Sequence, residues 1–368
     1  MTEEVWGARS TTPDAIEAAL RDMLRSRHAA DEALVPARVL NLVVIVDRDW
    51  KGEIANRLEG AGRYHASRTV LCAVQDGRVT LDAVATVGDE ERAPGTPRVM
   101  HESVVIDVGA QHLPGLRTIV DPILVDELPT VVWSPHGHDE AVEALLEVMD
   151  VVMVDSDDID DPALAFERAQ RLARDAYVVD LAWLRTTPWR ERLAASFDLP
   201  ARRAELPRIA RLEVRHRSRS AASALLLVGW LASRLGWTSC SLGHAGGGLA
   251  GTLSRPGCCE PGSGAPEPGS GAPEPGEVLV ALRPHDQDVP GLAGVTVCGE
   301  GGAALSLQRG RGGLEACEVS ADGAERVWRI LGASRGEGGI LGEGIRQALL
   351  RDQTYEPALD SARALCTA

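Results

Sequence analysis

The chain has 368 residues, a mass of 39.1 kDa and a formal net charge of −16, with 54 acidic side chains against 38 basic ones. That balance excludes a general nucleic-acid binder, because the phosphate backbone would be repelled, while the length suggests two domains. The longest apolar run, Ala221 to Ala232, is too short to cross a bilayer and is bounded by Arg219 and Arg234, so it predicts a buried helix and no membrane association.

The opening MTEEVWGARS has neither a basic nor an apolar leader region. Seven scattered cysteines lack framework spacing, which suits reduced thiols and predicts a cytoplasmic protein. Thr12-Pro13-Asp14 predicts a helix start: a capping hydroxyl, proline in the first turn and an acid near the positive end of the dipole. Val39 to Val46 reads as a buried strand, and Asp49 as the cap of a short helix carrying Ile54 and Leu58. The polar stretch Arg63 to Arg68 leads into a strand at Thr69 to Val74. Further strands are expected over Val79 to Val87 and Ser103 to Val108, then a helix broken by Pro122 over Leu113 to Leu124.

Leu128 to Ser156 reads as a βαβ unit. Val131, Val132 and Trp133 favour a strand, Ser134-Pro135 breaks it, and a helix from Asp139 places Val142, Leu145, Leu146 and Met149 on one face. Val151 to Val154 is apolar without alternation, as a strand buried on both faces is. Ser134, His136 and His138 then stand at the carboxyl end of a strand, where open α/β sheets bind ligands and partners.

Asp155 to Pro162 is acidic and turn-prone, and a long helical region is expected over Ala163 to Phe197, interrupted near Thr187-Pro188. A strand at Arg208 to Arg217 and a helix capped by Ser218 follow. Beyond Gly236 come short strands separated by glycine-rich turns, an antiparallel signature, and one helix at Leu341 to Leu350. A low-complexity insert at Glu260 to Gly276, within about 255–277, repeats EPGSGAP and is expected to be disordered. The predicted fold is an α/β N-terminal domain with a largely parallel sheet, residues 1–160, and a C-terminal α+β domain with a mostly antiparallel sheet, residues 161–368.

Several groups could carry chemistry. His136 and His138 with Ser134 could bind a metal or act as acid and base, but no third ligand has diagnostic spacing, and a polar loop or docking surface is the simpler reading. Arg63, His65, Ser67 and Arg68 could cradle an anion; a solvated loop ordered by its own salt bridges is the plainer account. Gly332 to Arg346 follows a strand and leads into a helix, a context that can bind phosphate. Leu341 replaces the third glycine of a dinucleotide fingerprint, however, no Walker lysine occurs, and Glu337 and Glu343 repel anions. Its glycines are read as permitting close backbone packing. Cys240, His244, Cys258 and Cys259 could ligate zinc, though no C-x-x-C pair occurs. These residues yield no catalytic set, metal site or cofactor fingerprint.

Four blocks carry a resemblance: RVLNLVVIVDRDWKGEIANRLEGAGRYHASRTVLCAV, TIVDPILVDELPTVVWSPHGH, AYVVDLAWLRTTPWRERLAASFD and GASRGEGGILGEGIRQALLRD. From about Val39 to Asp352 the chain resembles the glucose-6-phosphate dehydrogenase assembly protein family, OpcA. The insert at Glu260 to Gly276 is an addition to the family's pattern, and its usual His-Pro-Ser-Arg stands here as His65-Ala66-Ser67-Arg68. The resemblance implies a non-catalytic allosteric activator without a cofactor of its own. Such a protein binds glucose-6-phosphate dehydrogenase, the NADP-dependent enzyme that opens the oxidative pentose phosphate pathway, and promotes its active oligomer. In photosynthetic relatives it also implies a part in redox control.

The tightest block directs partner contact to Arg335, Glu337, Gly338, Gly339, Glu343 and Arg346, with Trp133 and His136 as a second patch. The alternative is a sugar-phosphate or nucleotide-binding enzyme using the loop Ser134 to His138. No disulfide switch is expected in the folded core, since Cys72 falls in a buried strand and a bridge between adjacent Cys258 and Cys259 is strained.

Overall fold

The computed structural model describes residues 3–30, 38–62, 67–90, 99–238, 241–256, 276–331 and 336–366. The expected disordered insert lies outside the described residues, apart from its last glycine. The chain forms two compact units. The first comprises Met1–Val154, Leu172–Val179 and Glu337–Arg351; the second comprises Asp155–Arg171, Asp180–Gly336 and Asp352–Ala368.

The strands of the first sheet are β1 (Glu3–Ala8), β2 (Leu40–Asp47), β3 (Ser67–Val74), β4 (Asp82–Glu90), β5 (Val99–Val108), β6 (Thr130–Trp133), β7 (Val151–Val154) and β8 (Tyr177–Asp180). Their order is β1-β4-β5-β3-β2-β6-β7-β8. β5, β3, β2, β6 and β7 are mutually parallel, and β4 and β1 add antiparallel ribbons at one edge. β2, β6 and β7 are buried almost throughout, as their unalternating apolar sequence requires. Asn41 in β2 fastens the approach to β6: its amide donates to the Val125 carbonyl at 3.0 Å and its oxygen accepts the Val125 N–H at 2.9 Å.

Helix α1 (Pro13–Ala30) starts where Thr12 Oγ1 accepts the Ala15 N–H at 3.3 Å, and it buries Ile16, Leu20 and Met23. α2 (Lys51–Gly62) follows β2, and α3 (Arg117–Val120) lies between two 3-10 turns where one broken helix was expected. α4 (Asp139–Ala144) is shorter than its apolar spacing predicts. Asp150 is pinned to Thr130 by two hydrogen bonds of 2.9 and 2.8 Å, so Leu145 to Met149 wind in tight turns to reach β7. Leu145 and Met149 are buried all the same.

The long helical region expected over Ala163 to Phe197 is three elements: α5 (Pro162–Leu172), β8, and α6 (Leu181–Ser196). Tyr177, Val178 and Val179 favour an extended backbone, and Asp180 caps α6 by accepting the Ala182 N–H at 2.9 Å. Pro188 sits inside α6 without ending it, because a helix tolerates the loss of one N–H when packing holds it. A short α7 (Pro200–Arg203) follows.

The second sheet contains β9 (Ile209–Arg217), β10 (Gly243–Ala245), β11 (Gly248–Ser254), β12 (Glu277–His285), β13 (Leu292–Gly299), β14 (Ala304–Gly310), β15 (Gly313–Val319) and β16 (Glu325–Leu331). Its order is β10-β11-β12-β9-β13-β14-β15-β16, antiparallel except for the β9–β12 pair. α8 (Ala221–Leu235) packs on β9 and β12, with Ser220 rather than Ser218 before its first turn. No described helix is long and apolar enough to cross a membrane.

The helix expected at Leu341 to Leu350 is present and begins earlier, at the first described residue of the glycine-rich segment, as α9 (Gly336–Leu350). Ile340, Leu341, Ile345 and Ala348 are buried along one stripe, and that burial offsets the entropic cost of the glycines. α10 (Tyr355–Cys366) lies against α8 in the second unit. The mostly parallel N-terminal sheet and mostly antiparallel C-terminal sheet agree with the fold class read from the sequence.

Candidate functional site

In the first unit the strand order reverses at β2. The chain leaves β2 for β3 on one side and later lays β6 on the other. This is a topological switch point, where the carboxyl ends of adjacent strands open a crevice. Asp47 ends β2 and Trp133 ends β6, and the loop Ser134 to His138 continues from it.

The Asp47 backbone N–H donates to His136 Nδ1 at 3.1 Å. The Asp47 carboxylate lies 3.0 Å from His138 Nε2 and 3.8 Å from His136 Nδ1. Burial holds His136 below the usual imidazole range, with the Asp47 charge opposing that shift. A neutral ring is what its acceptor role requires. Trp50, 49% exposed, tilts against the His136 ring with centroids 5.7 Å apart. The His138 N–H donates to Ser134 Oγ at 3.2 Å, which orders the loop. A carboxylate, a neutral imidazole and a half-exposed indole can hold hydroxyls against a flat apolar surface. Trp133 itself is buried in β6, so of that pair only His136 stands beside Asp47 at the strand ends.

Ser67 and Arg68 begin β3, next to β2, and so lie at the opposite, amino-terminal end of the parallel strands. Arg68 is 5% exposed; its Nε and Nη2 donate to Glu102 Oε2 at 2.8 and 2.7 Å, and its Nη1 to the Ile123 carbonyl at 2.8 Å. Glu102 also holds Arg38, and Ser67 Oγ meets Thr69 Oγ1 at 3.2 Å. Arg63, His65 and Arg335 lie outside the described residues. On α9, Gly338 and Gly339 are exposed in the first turns, beside half-buried Glu337. Glu343 is buried, accepting from Arg346 Nε and Gln347 Nε2, both at 3.0 Å, while the Arg346 side chain remains 47% exposed.

A polar cluster in the second unit went unread in the sequence. A 3-10 turn at Ser156–Asp158 brings Asp155, Asp157 and Asp158 beside Asp180 and Arg185. Ser156 Oγ and Tyr355 Oη donate to Asp180 Oδ2 at 2.6 and 3.1 Å. The N–H and Oγ of Ser223 donate to Asp157 at 3.0 and 2.6 Å. Burial first, and the Asp155 charge second, push Asp157 and Asp158 up to about 7 and Asp180 up to about 6. Next to them, Trp183 Nε1 donates to Asp352 Oδ2 at 2.9 Å, and the Arg190 guanidinium stacks 3.4 Å from the Trp183 ring centroid. The available signal was the acid run VDSDDIDD joined to a lone arginine in the apolar run LAWLR. Among the described residues, no group of three or more His, Cys, Asp or Glu is placed to hold a metal ion.

Residues 59–171 match the family model described as the glucose-6-phosphate dehydrogenase subunit N-terminal domain. Residues 176–261 match that of the C-terminal domain. The chain is similar to proteins named OpcA and assigned by name to the OxPP cycle. That of Synechococcus elongatus is 33% identical over 150 residues, 40% of this chain and 34% of that protein. Those of Synechocystis and Nostoc punctiforme are 32% and 31% identical over 35% and 37% of this chain, covering 28% and 30% of their own lengths. The match thus spans about a third of each relative. Among solved structures, apo scyllo-inositol dehydrogenase from Lactobacillus casei aligns with a TM-score of 0.43 and 11% identity over 90% of this chain and 96% of that one. With both subunit-domain models matched in order over more than half of its length, the chain belongs to the OpcA family.

Proposed function

We propose that this chain acts in the cytoplasm as a non-catalytic partner that binds glucose-6-phosphate dehydrogenase, promotes its active oligomer and raises its activity. The observation that carries this reading is the ordered match of residues 59–171 and 176–261 to the two dehydrogenase-subunit domains. The contact surface proposed is the start of α9, where exposed Gly338 and Gly339 let another chain approach the backbone and Glu337 and Arg346 supply charge. Arg335 adjoins it in sequence.

The test is to mix the purified dehydrogenase with this protein and follow activity and sedimentation together. Both are expected to rise, with no turnover of glucose 6-phosphate by this protein alone. Gly338→Arg is the informative variant, since a Cβ at Gly338 meets nothing within 4 Å and the fold accommodates it. It is expected to weaken dehydrogenase binding roughly tenfold or more, the size of effect that blocking an interface anchor has. Unchanged activity and sedimentation on mixing would overturn the reading.

A second reading rests on the switch point. Asp47, Trp50 and His136 meet at the strand ends of the switch point, a grouping suited to a small polyhydroxylated ligand such as a sugar phosphate, with the hydroxyls at the carboxylate. Quenching of Trp50 fluorescence by such a ligand, lost in Trp50→Phe, would favour it.

A further inference from the structure

β16 is the last strand in the order of the second sheet, and among the described strands it pairs with β15 alone. The hairpin that joins them fixes which of its peptide groups are used. The Ser320 N–H donates to the Ala324 carbonyl at 2.9 Å, and the ladder continues with Glu318 opposite Arg326 and Ala316 opposite Trp328. Hydrogen-bonded and non-bonded pairs alternate along an antiparallel ladder. Arg326, Trp328 and Ile330 therefore bond to β15, while Glu325, Val327, Arg329 and Leu331 direct their N–H and C=O groups away from it. One face of the strand is open, with Val327 54% exposed and Leu331 75%, while Trp328 and Ile330 on the other face are half-buried. An open edge with a row of outward N–H and C=O groups is a template for another strand.

We infer that two copies of this chain join through β16, antiparallel, about a two-fold axis at Val327. A two-fold axis normal to the sheet sets residues of like parity opposite one another, and the outward-facing residues must form the hydrogen-bonded pairs. Several registers satisfy those conditions, and charge selects among them. Centring on Val327 sets Glu325 against the partner's Arg329 and Arg329 against the partner's Glu325. On the opposite face it sets Arg326 against the partner's Trp328, a pairing like the one Arg326 already makes with its own Trp328 at 5.4 Å. Centring on Arg326 would oppose two guanidiniums. Centring on Trp328 would face Glu325 with an apolar leucine and Val327 with an arginine. Arg329 already lies 3.5 Å from Glu315 on β15, so in the pair it bridges a carboxylate of each copy. The occupant that this edge fits is a second copy of itself.

Sedimentation equilibrium of the full chain tests this, without the dehydrogenase present. The wild type is expected to dimerise with concentration. Val327→Pro removes an outward N–H and leaves the β15–β16 bonds intact, so it should yield a folded monomer, with far-UV circular dichroism as the check. Glu325→Arg and Arg329→Glu act on exposed side chains and should each weaken dimerisation roughly tenfold, the sum of two lost cross-strand pairs. The double variant restores both pairs and should recover most of that loss. A wild type that stays monomeric, a dimer indifferent to Val327→Pro, or a double variant no better than the singles would each overturn the inference.

Discussion

The two terminal nitrogens of Arg185 meet the two carboxylate oxygens of Asp155 at 2.7 and 2.6 Å, and each side chain is 8% exposed. This fork is a cation set among several carboxylates, since Asp157 lies 3.7 Å from the same guanidinium. Arg185→Ala would leave Asp155 buried without its counter-charge, an effect that costs about 3–5 kcal/mol. Arg185→Lys keeps the charge but loses the two parallel bonds, so a smaller loss is expected. Urea denaturation of the three proteins checks the ranking, and an Arg185→Ala midpoint equal to the wild type would refute it.

The same cluster makes a pH prediction. Asp157 and Asp158 titrate at about 7 and Asp180 at about 6 in the folded chain, all raised from 3.8 by burial and by Asp155. Between those limits the native state holds more protons than the unfolded state, so this contribution falls as pH rises. It is fully present below the unfolded value and lost through about pH 6 to 7. Asp157→Asn keeps an acceptor for Ser223 while removing one titration, so it should flatten the profile and stabilise the protein at about pH 8. Denaturation midpoints followed across this range decide the matter; a midpoint that climbs with pH would contradict the assignment.

Two glycines are expected to respond to alanine in opposite ways. At Gly229 in α8 a Cβ would stand 2.3 Å from the Ala358 carbonyl oxygen and 2.8 Å from the Ala362 nitrogen of α10. Gly229→Ala must push these helices apart, at a cost of about 1–3 kcal/mol. At Gly338 in α9 the same Cβ meets nothing within 4 Å, so Gly338→Ala should gain up to about 1 kcal/mol of helix propensity. Thermal melts of the two variants should move in opposite directions.

The parallel core was legible because VLNLVVIV, VVW and VVMV lack alternation and are short and rich in β-branched residues, as strands covered on both faces are. β8 was not, since four residues between two helices are too few to show a period of their own. The helix at Leu341 to Leu350 was legible as well, but not its start at Gly336, because the glycines of its first turns favour no helix of their own. The sites suffered a different loss. The sequence placed His136 at a strand end, but its bond to Asp47 joins residues 89 apart, and Tyr355 reaches Asp180 across 175. Local pattern holds no record of such pairs.

The thiols give the last prediction. Burial pushes Cys72 up to about 12 and Cys366 up to about 11, and it raises Cys298 as well. Cys317 is raised chiefly by its hydrogen bond to Glu325, 3.3 Å away. All four are free, and at neutral pH each is held as the thiol, whereas the thiolate is the form that attacks disulfides and oxidants. Mild oxidation followed by reduction is therefore expected to leave both stability and any stimulation of the dehydrogenase unchanged. Peptide mass spectrometry after brief iodoacetamide treatment gives the direct readout, with Cys72 labelled only once denaturant is added. Rapid labelling of Cys72 in the native chain would oppose this account, as would a reversible redox effect on stimulation that Cys72→Ser or Cys298→Ser removes.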